Sequence, residues 1–185
     1  LIKMKKITYT LEVILKTPLS VFSGESKRGF NRSIIKSLDG EPFIPASEIK
    51  GIVKNNYISI FDCKHNGNDC TCEACQIFGR AGNSDSLIFF EDLKPAGDDY
   101  KVSYRIGTAI DRKRREVLHN ALYSQEMVEG TKFSGKVELY LNKKLKEMGA
   151  KEKVECAIKM IDKLGACKSR GLGYVEVRLK EGNLK

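Results

Sequence analysis

Residues 6–15 read Lys-Ile-Thr-Tyr-Thr-Leu-Glu-Val-Ile-Leu. Apolar and polar positions alternate, and the run is rich in β-branched and aromatic types, which predicts a strand with one face on a core and one in water. Working outward, residues 131–141, Thr-Lys-Phe-Ser-Gly-Lys-Val-Glu-Leu-Tyr-Leu, alternate in the same way. A helix is expected from Pro45-Ala46-Ser47, with Ser47 as N-cap, because Ile49, Ile52, Val53 and Tyr57 recur at helical spacing. A second is expected over 151–164, where Val154, Ala157, Ile158, Ile161 and Leu164 form one stripe. Further strands are expected at 86–93, buried on both faces, at 101–111, and at Tyr174–Leu179. Residues 23–42 are polar, basic and close at the turn signal Asp39-Gly40, which predicts a long loop outside the core.

The order strand, helix, strands, helix, strand lacks sustained βα alternation. It predicts an α+β fold of the RRM-like, ferredoxin-like kind with the helices on one sheet face. At 185 residues the chain suits one domain, 1–185, with insertions at about 23–42 and about 62–79. Its 41% hydrophobic content is that of a globular protein. No apolar run approaches the roughly 20 residues of a membrane span, and Leu1-Ile2-Lys3-Met4-Lys5-Lys6 has no apolar secretion core. No membrane association is therefore expected, and a cytoplasmic location is.

Two histidines, His65 and His119, exclude a multi-histidine metal centre. Four of the six cysteines crowd into Cys63-Lys-His65-Asn-Gly-Asn-Asp-Cys70-Thr-Cys72-Glu-Ala-Cys75. Clustering of this kind points to a metal site in a reducing compartment, since a secreted framework spreads its cysteines. Four thiolates suit a structural Zn2+, a d10 ion content with soft tetrahedral ligands. Cys63, Cys70, Cys72 and Cys75 are the expected set; His65 stands as a substitute for Cys70 or Cys72, because a CxC pair is sterically tight. The segment is too polar and too rich in Gly and Asn to predict regular structure, and Cys156 and Cys167 are expected in the core.

Lys+Arg number 33 against 24 Asp+Glu, a net charge of +9. Basic residues gather in expected loops, the footprint of a polyanion partner: Lys27, Arg28, Arg32 and Lys36; the run Arg112-Lys113-Arg114-Arg115; and Lys168-Ser169-Arg170 before Gly171-Leu172-Gly173. Glycines there let backbone amides approach a phosphate. By themselves such runs are also what solvated faces and ordinary turns look like.

Three segments carry a resemblance to a known family. Gly40-Glu-Pro-Phe-Ile-Pro-Ala-Ser47-Glu-Ile-Lys50-Gly51 resembles the GxPxIPGSSLKG stretch of the RAMP superfamily of CRISPR effector complexes. Cys75-Gln-Ile-Phe-Gly79 with Leu87–Asp92 is similar to its C-x-x-FG…L-x-F-x-D pattern, and Leu164-Gly165 through Gly173 to its glycine loop. Arg105–Arg112 and Glu126–Phe133 resemble its middle strands. Within the superfamily the likeness is to the repeated backbone subunit of type III (Csm and Cmr) complexes.

That resemblance implies a subunit that polymerises along a CRISPR RNA beside other effector subunits, with a thumb-like element at 23–42 interrupting the guide–target RNA duplex. Ser47 and Lys50 would meet guide phosphates at a helix start. Lys168, Ser169, Arg170, Gly171 and Gly173 would hold the strand at a second place. The family's backbone subunits carry a catalytic aspartate in the first loop, where this chain has Asn31. A neutral amide is neither a base nor a good Mg2+ ligand, so binding without target cleavage is expected, and Mg2+ only in a cleavage-competent chain. The alternatives are an active metal-dependent endonuclease, a guide-processing ribonuclease using His119, or a zinc-stabilised protein-interaction domain.

Overall fold

The structure is a computed structural model; it describes residues 4–24, 32–64, 70–80 and 85–182, without the side chains of 119–121. Lys27, Arg28, Asn31 and His65, and the side chain of His119, lie outside the described residues.

The alternating N-terminal run forms β1 (Lys5–Leu15), the centre of the main sheet. Its inward positions Ile7, Tyr9, Leu11 and Val13 are all buried. α1 (Ala46–Ile60) and the short α2 (Glu73–Phe78) follow, then β2 (Ile88–Phe90) and β3 (Lys94–Pro95). A long hairpin, β4 (Lys101–Ile110) and β5 (Val117–Glu129), precedes β6 (Lys132–Leu141), α3 (Lys143–Glu147), α4 (Ala150–Lys159) and β7 (Val175–Glu181).

β1 pairs antiparallel with β6 from Lys5↔Leu141 to Ile14↔Lys132, and on its other side with β7 from Tyr9↔Glu181 to Leu15↔Val175. β2 and β3 share the far edge of β6, giving the order β2-β6-β1-β7. One sheet face packs on the helices: Phe133, Val137 and Leu139 of β6 join the β1 residues against Ile49, Val53 and Tyr57 of α1 and Val154, Ala157 and Ile158 of α4. Each of the larger apolar side chains among them, withdrawn from water, is worth about 1.5–3 kcal/mol.

On the opposite sheet face, cross-strand ion pairs occupy the polar positions: Lys6–Glu138 at 2.7 Å, Lys180–Glu12 at 3.1 Å and Lys16–Glu176 at 2.6 Å. This period-2 sorting is the alternation read from the sequence, made physical.

Several expectations are corrected. Pro45, not Ser47, occupies the N-cap of α1 and makes no side-chain cap; the first helical amide, of Ala46, donates instead to Asp92 Oδ1 at 2.7 Å. Proline suits that place because its φ is preset and it has no N–H to satisfy. The strand expected at 86–93 shrinks to three residues and is not buried on both faces: Phe89 is 52% exposed. The last helix ends at Lys159, and Ile161 and Leu164 are buried from the connection beyond it. Cysteine-rich sequence does form regular structure, since Cys75 lies in α2. Cys156 is exposed and Cys167 half-buried, so neither is a core residue.

Of the hairpin's second strand, β5, only the last residues, Glu126–Glu129, fall in a segment that the resemblance marks as strand; Val117–Gln125 was not expected from the sequence. β4 and β5 pair from Lys101↔Glu129 to Ile110↔Val117, forming a ribbon separate from the main sheet. The run Arg112-Lys113-Arg114-Arg115 is its tip, organised by Asp111, whose Oδ1 accepts from the amides of Lys113 (2.8 Å) and Arg114 (3.2 Å). Short polar side chains do this readily in turns.

Candidate nucleic-acid interface

The chain leaving α4 folds back on the start of the molecule through the glycine loop, 165–173. Gly165 has φ +73° and lies so close to Ser20 that a Cβ would come within 2.5 Å of its carbonyl oxygen. Gly173, also at φ +73°, donates its N–H to Pro18 O at 2.8 Å, and a side chain there would collide with the Leu164 carbonyl. Only glycine tolerates both the positive φ and the close approach. Between them, Lys168–Arg170 makes one 3-10 turn bounded by Cys167 (φ +61°) and Gly171 (φ +84°). Ser169, Arg170 and Gly171 are left exposed.

Three other segments meet this loop. From α1, Glu48 Oε1 accepts from the Gly165 amide at 2.6 Å, which sets the first helical turn, with exposed Ser47 and half-buried Lys50, against the glycine loop. From the hairpin, Arg105 Nη1 donates to Arg170 O at 3.2 Å, and Arg170 Nη1 to Tyr123 Oη at 3.5 Å. The first loop joins through β5: the Glu126 amide donates to Arg32 O at 3.0 Å. The buried Glu126 carboxylate takes the Ile34 amide (3.0 Å) and Lys36 Nζ (3.4 Å).

The structure thus brings Arg32, Ser47, Lys50, Lys168, Ser169, Arg170 and Gly171 together, whereas Gly173, expected beside them, is buried and its amide is spent on Pro18. Arg112 is not in the cluster; it sits at the hairpin tip, seven residues from Arg105, about 20 Å away at ~3.3 Å per residue. Arg105, Tyr123 and Gln125 were missed by sequence reading. The one available signal was the cation Arg105 on an expected strand.

Electrostatics separate this side from the rest. Lysines on the outer sheet face are matched by glutamates, whereas Lys50, Arg105, Arg112, Lys168 and Arg170 have no carboxylate within 4.0 Å among the described residues. Burial, and then the neighbouring Lys54, hold the Lys50 ammonium below its ordinary pKa. A cation disfavoured in this way gains most from an arriving anion.

The cysteine segment lies at the other end of α1. Cys72 is the N-cap of α2 and Cys75 falls in its first turn, so Cys70, Cys72 and Cys75 bring their sulfurs within 4.8 Å of one another. A tetrahedral ion bonded at ~2.3 Å needs sulfurs ~3.8 Å apart, so this triad fits a thiophilic metal. Both Cys70 and Cys72 take part, so the CxC spacing does not exclude either. Cys63, expected as a fourth ligand, stands outside the group; burial pushes its thiol pKa up, and the Ala74 amide partly offsets this. Burial, reinforced by the Cys72 thiol, raises Cys75 to about 11. α2 is anchored beneath by Tyr57, whose ring meets Phe78 at 5.6 Å and Phe61 at 5.1 Å.

Among the described residues no helix is long and apolar enough to cross a membrane. The fold is similar to a chain in the cryo-EM structure of a type III-B Cmr-beta complex bound to cognate target RNA. The two share a TM-score of 0.69 at 20% identity, over 96% of this chain and 61% of that one. No curated protein matches the sequence. A sequence model described as the RAMP superfamily matches residues 12–176, nearly the whole fold from β1 to β7, and the chain belongs to that superfamily.

Proposed function

We propose that the chain is a CRISPR-RNA-binding backbone subunit of a type III effector ribonucleoprotein in the cytoplasm, polymerising along the guide and shaping the guide–target RNA duplex. The observation that carries this reading is the convergence of the α1 start, the glycine loop, Arg32 and the β4–β5 hairpin, with cations that no carboxylate among the described residues neutralises. Sequence-independent grip on RNA needs phosphate contacts from Lys, Arg and backbone amides, while base pairing reads the target. Antiparallel order β2-β6-β1-β7, with α1 and α4 as the two crossovers, supports an RRM-like core. Superfamily membership and the likeness to a chain of a Cmr complex support effector-complex partners, including copies of this chain.

In this reading the 23–42 loop is thumb-like and acts with the β4–β5 hairpin, to which its described part pairs at Arg32↔Gln125. Lys27 and Arg28 would extend its contacts, and Arg112 would reach along the strand. Asn31 makes the subunit silent toward its target, with no call for Mg2+ at that position. Cys70, Cys72 and Cys75 hold a structural Zn2+, completed by Cys63 or His65, which pins the loop between α1 and β2.

Purification of the native complex followed by sequencing of bound RNA tests the proposal. A uniform repeat-derived small RNA is the expected result, and target RNA incubated with the complex and Mg2+ should stay intact at this subunit. A preparation free of RNA that takes up none would refute the binding role; Mg2+-dependent cutting would overturn the silent assignment and favour the endonuclease alternative.

A further inference from the structure

Among the described residues only four polar or charged residues are buried, Ser20, Ser33, Gln125 and Glu126, and all four lie where the first loop meets β5. Leu19 and Val128 exchange both backbone hydrogen bonds at 2.8 Å, and Arg32 bridges in parallel to Gln125, so both arms of the loop reach the strand. Glu126 is 6% exposed. Burying a carboxylate is costly unless its charge and lone pairs are matched, and Glu126 is matched from this loop. Its amide donates to Arg32 O (3.0 Å) and its carbonyl accepts from Ser20 Oγ (2.7 Å). Its carboxylate accepts from the Ile34 amide (3.0 Å) and from Lys36 Nζ (3.4 Å).

Two cations of this loop are thereby given different tasks. Lys36 spends its charge on Glu126. Arg32 is exposed, its carbonyl is fixed by the Glu126 amide, and its guanidinium rests over the Phe22 ring at 5.3 Å. A side chain held in this way loses little freedom on meeting a phosphate. The preceding residue of β5 binds the other cationic element: Gln125 Oε1 accepts from the Cys167 thiol at 3.7 Å, at the start of the turn that carries Lys168–Arg170. Stability alone does not call for a charge at Glu126, since a well-packed apolar residue at a buried position serves a fold as well or better.

We infer that Glu126 is a positioning residue for RNA binding: its buried carboxylate clamps the first loop to β5, holds Arg32 ready for an RNA phosphate beside Lys168–Arg170, and withdraws Lys36 from RNA as its own counter-ion. The inference rests on the RNA-binding reading above and adds to it a residue that touches no RNA. Acting through the loop, Glu126 decides which of its two cations counts toward the grip.

Fluorescence anisotropy of the full chain with a labelled single-stranded RNA, repeated over a series of salt concentrations, tests this. Arg32→Ala should reduce the slope of log K against log salt by about 0.7 in magnitude, the share of one phosphate contact. Glu126→Ala should reduce it by the same amount, and the double variant by no more than either single one, because the two act as a unit. Glu126→Gln, which keeps an acceptor for the Ile34 amide, should recover most of the slope, and Lys36→Met should leave it unchanged, with circular dichroism showing that the variants are folded. An unchanged slope in Glu126→Ala, or additive losses in the double variant, would overturn the clamp while leaving the RNA-binding reading standing. Where Glu126→Ala does not fold, Lys36→Met decides: a loss of slope equal to that of Arg32→Ala would overturn the proposal, and an intact slope supports it. Failure of the unsubstituted chain to bind RNA would defeat the clamp and the RNA-binding reading together.

Discussion

Glu48, in the first turn of α1, accepts a 2.6 Å hydrogen bond from the backbone amide of Gly165, 117 positions along the chain. A carboxylate that could have faced solvent instead ties the start of the first helix to the loop after the last one. It sets the helical turn that carries Lys50 beside the glycine loop. Glu48→Ala removes a charge-assisted acceptor at a half-buried site and should cost about 1–2 kcal/mol in denaturant unfolding. RNA affinity should fall with it, although Glu48 itself carries the wrong charge to touch phosphate.

The glycines of the loop are not equivalent. Gly173→Ala forces a Cβ into the Leu164 carbonyl at a left-handed φ and should destabilise by more than about 3 kcal/mol. Gly171 has the same sign of φ but open space around it, so Gly171→Ala should cost only about 1 kcal/mol. Thermal melts of the two variants side by side check the contrast, and equal losses would contradict it.

Lys50→Ala should weaken RNA binding uniformly across sequences and reduce the slope of log K against log salt by about 0.7 in magnitude, the share of one phosphate contact to a single strand. Lys136→Ala, on the ion-paired outer sheet face, is the control and should leave the slope unchanged.

The cysteine triad gives a pH prediction with a definite sign. A metal ligand must be a thiolate, and Cys75 is raised from its ordinary 9.0 to about 11, so metal entry releases protons that the apo protein holds firmly. Apparent metal affinity should therefore rise with pH through the neutral range, by about tenfold per pH unit for each proton released. Chelator competition at several pH values measures this. Stripping the metal at neutral pH should lower the melting temperature by roughly 5–15 °C, as for loss of a ligand worth about 3–4 kcal/mol.

Legibility of the sequence followed the strength of its periodicity. β1 and β6 declare themselves because every second residue answers to the core, and the helical stripe of α4 does so for the same reason. Ser47 misled because capping statistics are local, whereas the helix begins one residue earlier, where the Ala46 amide is met by Asp92 from another segment. Most of β5 escaped notice because a ribbon outside the main sheet has no continuous core to impose alternation: Ile106, Ile110, Val117 and Leu122 are each at least 60% exposed. At the site, Lys168–Arg170 could be named from charge and glycine spacing, and Lys50 only through the family resemblance. Tyr123 and Gln125 could not, since only the cross-strand register brings them opposite Gly107 and Arg105.

The central claim, a phosphate-directed grip by the cations around the glycine loop, is tested most directly by RNA affinity as a function of salt. Anisotropy titrations of the full chain with two unrelated single-stranded RNAs, from about 50 to 300 mM salt, should give steep negative slopes that agree between the RNAs, each phosphate contact contributing about 0.7. Binding that is flat with salt, or no binding at 50 mM, would contradict the account.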